Sequence, residues 1–86
     1  MFSSKTMNSW LKERDKVVKS YDVQAFRAFF HKWQKRGIYD KTMTLPTDYV
    51  LELSMRKMVY HMNSATDQEK ADAEKWLLEH GSRTDI

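Results

Sequence analysis

The sequence contains no cysteine, and only two glycines and one proline occur among its 86 residues. Without cysteine the chain can form no disulfide framework, no thiolate zinc site and no cysteine nucleophile. This absence suits a reducing compartment, and we expect the protein in the cytoplasm. The scarcity of glycine argues against a loop that cradles phosphate with its backbone amides.

Long apolar runs are also missing. A transmembrane helix needs about 20 consecutive apolar residues, whereas Lys, Arg or Asp interrupts every helical pattern here after a few positions. We therefore expect no membrane-spanning segment and no membrane partner. A composition of 41% apolar and 31% charged residues is instead typical of a globular chain, and its length suffices for one small domain.

The residues that are abundant favour helices. Lys, Glu, Gln, Met and Leu are frequent, and no sustained alternation of apolar and polar residues marks a strand. The spacing of apolar residues predicts an all-α fold, a small bundle of about four helices at 9–19, 23–36, 48–62 and 67–80, with one longer loop at 37–46. We expect a single helical domain at 9–81, a frayed arm at 1–8 and a frayed tail at 82–86.

Helix boundaries are marked by residues that satisfy free backbone groups. Asp22 is placed to cap the start of the second helix, and Gly37 follows its end. The fourth helix has the clearest signals, because Thr66 and Glu69 form a capping box and Gly81 stands where a left-handed residue commonly ends a helix.

Charge is divided unevenly along the chain. Residues 1–41 contain ten Lys or Arg and four Asp or Glu, a net charge of +6, whereas residues 42–86 contain five and eight, a net charge of −3. Two interpretations remain open. The acidic final helix could neutralise the basic half, or the basic half could face a polyanion.

The polar side of the second helix offers a candidate nucleic-acid-binding surface, the basic face. The apolar stripe of this helix is predicted to consist of Val23, Phe26, Phe30 and Trp33. Helical spacing places four residues on the opposite side: Gln24, Arg27, His31 and Lys35. With the first helix ahead of it, the second could be the recognition helix of a helix-turn-helix. The joint at 20–22 has no glycine, however, and helical spacing of the phenylalanines favours a core rather than a base-stacking role.

The third helix has two apolar stripes. One is its expected core face: Leu51, Met55, Met58 and Met62. The other forms a candidate partner-contact surface, the α3 patch: Tyr49, Leu53, Arg56 and Tyr60. Tyr and Arg are enriched at interface hot spots, which favours a contact with a second copy of the chain or with another protein. The alternative is a central helix that touches neighbours on both sides.

No motif for catalysis is present, and the three histidines lie on three different predicted helices without a second ligand at i+3 or i+4. We expect no enzyme activity, no catalytic residues, no metal, no cofactor and no small-molecule substrate.

The interpretation that the sequence favours is a small, non-catalytic protein-protein interaction module that self-associates, with a homodimer as the simplest assembly. Its small size and its lack of catalytic motifs resemble those of accessory or inhibitor proteins of phages and mobile elements, which act by occupying a partner's surface. The alternative is a nucleic-acid-binding accessory protein that uses the basic face of the first two helices.

Overall fold

The computed structural model describes residues 4–84, which contain four α-helices and no strand. The helices are α1 (Ser4–Ser20), α2 (Val23–Lys35), α3 (Asp48–His61) and α4 (Asp67–Glu79). The predicted all-α fold of four helices is therefore confirmed. None of these helices is long and apolar enough to cross a membrane.

The chain divides into two compact units, which we call the first unit (Met1–Leu45) and the second unit (Pro46–Ile86). The first contains α1 and α2, and the second contains α3 and α4. No charged residue lies between 41 and 48, so the basic and acidic parts of the sequence coincide with these units. The expectation of a single domain at 9–81 stays a prediction.

In the first unit, two residues connect α1 to α2. Tyr21 adopts a left-handed backbone conformation, with φ of 55°, where a glycine is the more common choice. Asp22 then caps α2 as predicted, since its side chain accepts a hydrogen bond from the Ala25 backbone N–H at 3.1 Å. The buried apolar residues of this unit are Val18, Phe26, Phe29 and Trp33.

The segment after α2 turns back onto the aromatic side of that helix. Gly37 has a φ of 85°, and the Ile38 N–H donates to the Trp33 carbonyl at 2.9 Å. Tyr39 then lies against Phe30, with ring centroids 4.7 Å apart, and near Trp10, whose indole N–H donates to the Tyr39 hydroxyl at 3.3 Å. These contacts hold the start of the predicted loop at 37–46 against both helices of the first unit.

The second unit is a pair of consecutive helices, with Thr47 as the N-cap of α3 and Thr66 as the N-cap of α4. The predicted capping box is present, because the Glu69 N–H donates to the Thr66 hydroxyl at 3.1 Å and the Thr66 N–H donates to the Glu69 carboxylate at 2.8 Å. Its buried apolar residues are Leu51, Met55, Val59, Met62, Ala73 and Leu77.

The structure describes part of both segments that are expected to fray, 4–8 and 82–84, and their fraying stays a prediction. Helix α1 begins at Ser4 rather than at 9, because residues 4–8 include no glycine or proline that would interrupt a helix. At the other end, the Ser82 N–H donates to the Leu77 carbonyl at 2.9 Å, and His61 Nε2 lies 2.6 Å from the Thr84 carbonyl oxygen. The remaining residues of the predicted arm and tail, 1–3 and 85–86, lie outside the described residues.

Candidate functional site

The basic face of α2 lies where its spacing predicts. Gln24, His31 and Lys35 are exposed, and Arg27 is half-buried. The aromatic side chains of α2 cause this orientation, because burial of Phe26, Phe29 and Trp33 leaves the opposite side of the helix to solvent.

Cations of the first unit differ in whether a carboxylate lies beside them. Lys32 Nζ lies 2.9 Å from the Glu13 carboxylate, and the Arg14 guanidinium lies 3.1 Å from that of Asp15. Lys35 and Lys41 are exposed, and neither ammonium group forms an ion pair or hydrogen bond with any residue in the range 4–84. Their charge is thus directed to solvent and available to an anion.

An open pocket of about 500 Å³ lies between α2 and the segment that follows it. We call it the basic pocket, and its lining includes His31, Gln34, Lys35 and Lys41. The structure therefore brings the last two residues of the basic face together with a lysine from the connection. Gln24 and Arg27 lie nearer the start of α2, outside this group.

Gln34 is the buried residue of the pocket lining. It is only 8% exposed, and its side-chain amide donates to the carbonyls of Asp40 at 3.0 Å and Met43 at 2.8 Å. Both amide hydrogens are thereby used to hold the connection that carries Lys41. Burial of this polar group is stabilising because the amide satisfies two backbone oxygens that would otherwise compete for water.

The same amide orients His31. Because Gln34 Nε2 is the donor to the two carbonyls, Gln34 Oε1 is an acceptor, and it lies 3.2 Å from His31 Nδ1. His31 Nδ1 therefore carries the hydrogen, and Nε2 is the ring nitrogen left for a ligand. The sequence spacing of His31 alone shows none of these hydrogen bonds.

The two residues before Lys41 are Tyr39 and Asp40, and the contacts that fix this segment also shift their pKa values. Burial raises the pKa of Tyr39 above its ordinary value, although the Trp10 hydrogen bond and the charge of Arg14 oppose that rise. The pKa of the Asp40 carboxyl is lowered, first by the Thr42 backbone N–H at 2.8 Å and then by the Thr42 hydroxyl at 2.7 Å. An ionised Asp40 thus closes a turn around residue 41.

The α3 patch is only partly open to solvent. Tyr49 is 54% exposed, whereas Leu53, Arg56 and Tyr60 are half-buried. Arg56 lies 3.4 Å from the Glu52 carboxylate and 5.0 Å from the ring centroid of Trp76 in α4. Part of the predicted contact surface is therefore used for packing inside the second unit.

Within residues 4–84, no group of three or more His, Cys, Asp or Glu side chains is arranged to hold a metal ion. Comparison of the chain with models of protein families, with curated proteins and with solved structures finds no match. Functional inference therefore depends on the geometry of the chain itself.

Sequence reasoning missed two residues of the pocket. Lys41 lies in the connection, outside any helical period, and Gln34 lies between the basic face and the apolar stripe of α2. The only sequence signal for Lys41 was the Asp-Lys-Thr triplet, because Asp followed two residues later by Thr favours a side-chain-capped turn.

Proposed function

We propose that the protein is a small, non-catalytic helical module that binds the sugar-phosphate backbone of a nucleic acid through the first unit. The observation that carries this proposal is the pair of exposed lysines, Lys35 and Lys41, that have no acidic partner in the described residues and face one pocket. Lys32 and Arg14, by contrast, already have carboxylate partners.

The charge of the first unit supports the same partner. Its net charge of +6 is large for 45 residues, and a basic surface attracts a polyanion over the Debye length, about 10 Å at 0.1 M salt. Release of counterions from the nucleic acid then adds to the affinity. Lysine ammonium groups act as point charges, which suits contact with phosphate more than reading of base edges.

A double substitution, Arg27→Ala with Lys35→Ala, tests the basic face. We expect weaker binding to both single-stranded and duplex DNA, because two phosphate contacts are lost irrespective of base sequence. The slope of log affinity against log salt should fall by about two in magnitude. Fluorescence anisotropy over a salt series measures both quantities.

The matched control is Lys75→Ala in the second unit, an exposed lysine whose side chain is 77% accessible and lies 3.9 Å from Glu79. It removes one positive charge from α4 and should leave the salt slope unchanged. Wild-type protein that binds no nucleic acid at low salt would show that the proposed function is wrong.

Self-association through the second unit is a second candidate, favoured by the exposure of large apolar side chains on α3 and α4. Tyr49 is 54% exposed, Val50 is 40% exposed and Leu78 is 61% exposed. Burial of such large side chains at an interface removes much apolar surface from water, and tyrosine combines a large contact area with a polar end.

Sedimentation velocity over a concentration series tests this candidate. If Tyr49 is an interface anchor, Tyr49→Ala should raise the dimer dissociation constant by about thirtyfold or more, as hot-spot residues do. Tyr21→Phe, a change in the first unit, is the control and should leave association unaltered. A wild-type protein that stays monomeric at high concentration would contradict self-association.

A further inference from the structure

We infer that the basic pocket binds a terminal phosphate, so that the protein prefers nucleic-acid strands whose end carries a phosphomonoester. This inference deepens the proposed function and rests on it. Interior phosphates are phosphodiesters, and a row of cations along a helix is sufficient to contact them. In the basic pocket, by contrast, cations from two different segments converge on one concave space.

Charge is the first argument for a monoester. A phosphomonoester carries about −1.5 to −2 charges near neutral pH, whereas a phosphodiester carries one. Lys35 and Lys41 supply two positive charges, and neither of the other two lining residues, His31 and Gln34, carries a carboxylate. The two positive charges of the lysines match the two negative charges of a fully ionised monoester. A diester has one negative charge and would leave one ammonium group without a counterpart.

The state of His31 is the second argument. Its Nδ1 hydrogen is donated to Gln34, so that Nε2 in the neutral ring is an acceptor. A monoester has an ionisable proton near neutral pH, because its second pKa is about 6. A monoester that retains this proton can donate it to Nε2, and one that has lost it carries the two charges that match the lysines; a diester offers neither.

Size and rigidity are the third argument. A pocket of about 500 Å³ exceeds the volume of a phosphate group and leaves room for the attached sugar and base. Gln34 holds the connection through two carbonyls, and Thr42 holds Asp40 beside Lys41. The backbone that carries Lys41 is therefore ordered before binding, which lowers the entropic cost of capturing an end.

The test uses the full chain and three single strands of identical sequence, each labelled internally. One carries a 5′-phosphate, one carries a 3′-phosphate, and the third has hydroxyl groups at both ends. We expect one phosphorylated strand to bind about tenfold more tightly than the hydroxyl strand, as one charge-assisted hydrogen bond would supply. Comparison of the first two strands shows whether the pocket binds the phosphate of a 5′ end or of a 3′ end.

Lys41→Ala should reduce that ratio to about one, and so should the milder Lys41→Gln. Both variants change an exposed side chain, and far-UV circular dichroism checks that they fold. Lys75→Ala should retain the full preference. Equal, salt-dependent binding of all three strands would overturn this inference and leave the proposed function intact, whereas no binding of any strand at low salt would overturn both.

Discussion

Replacing Leu77 with alanine should lower the free energy of unfolding by about 2–5 kcal/mol, the range for a leucine removed from a packed core. Leu77 has no exposed surface, and it lies in α4 among the apolar side chains that bury the inner side of the second unit. Its removal both loses apolar burial and leaves a cavity that the neighbouring helix fills only in part. Urea unfolding followed by circular dichroism measures the change.

The adjacent residue provides the control. Leu78 follows Leu77 in α4 but is 61% exposed, so Leu78→Ala should change the free energy of unfolding by no more than about 0.5 kcal/mol. The two substitutions are chemically identical and differ only in the direction of the side chain. Equal costs at both positions would mean that the orientation of α4 in the structure is wrong.

Gln34→Met should also destabilise the protein, by about 1–3 kcal/mol. Methionine resembles glutamine in length and shape, but it has no amide to donate to the Asp40 and Met43 carbonyls. The cost therefore comes from backbone oxygens that lose their partner rather than from a change of volume. Thermal unfolding measures this cost. We also expect faster hydrogen exchange of the amides of residues 38–43.

Gln24→Met, on the same helix, is the matched substitution. Gln24 is exposed, and so the change should have an effect within about 0.5 kcal/mol. If Gln34→Met proved as harmless as Gln24→Met, the amide would not be the group that holds the connection, and the orientation inferred for His31 would lose its basis.

The helix boundaries that could be predicted are those set by local chemistry. Asp22, Thr66 and Glu69 act within three residues of their own position, and a sequence shows such contacts directly. Gly37 and Gly81 likewise take the left-handed conformation that ends a helix.

The rotation of each helix was harder to predict. In α2 the spacing favoured Phe26, Phe30 and Trp33 as the inner stripe, whereas Phe29 is buried and Phe30 is half-buried beside Tyr39. In α3 it is Val59, rather than Met58, that is buried. Residues one position apart differ by only about 100° around a helix, so the packing of neighbouring segments decides which of them is covered.

For the candidate site, the helical part was predictable and the pocket was not. His31 and Lys35 share a face because they are four residues apart on one helix. The approach of Lys41 depends instead on the path of a non-helical segment, which Tyr39 and Gln34 determine through contacts with two helices. Those contacts are tertiary, and no local pattern encodes them.

The pairing of consecutive helices, α1 with α2 and α3 with α4, has a consequence for how fast the chain folds. Partners that are close in sequence meet after closing a short loop, and chains dominated by such local contacts fold in microseconds to milliseconds. The peptide bond before the single proline, Pro46, is trans, like the other peptide bonds of the described residues. Newly synthesised chains should therefore spend little time with their aromatic side chains exposed to solvent, which reduces the opportunity for aggregation.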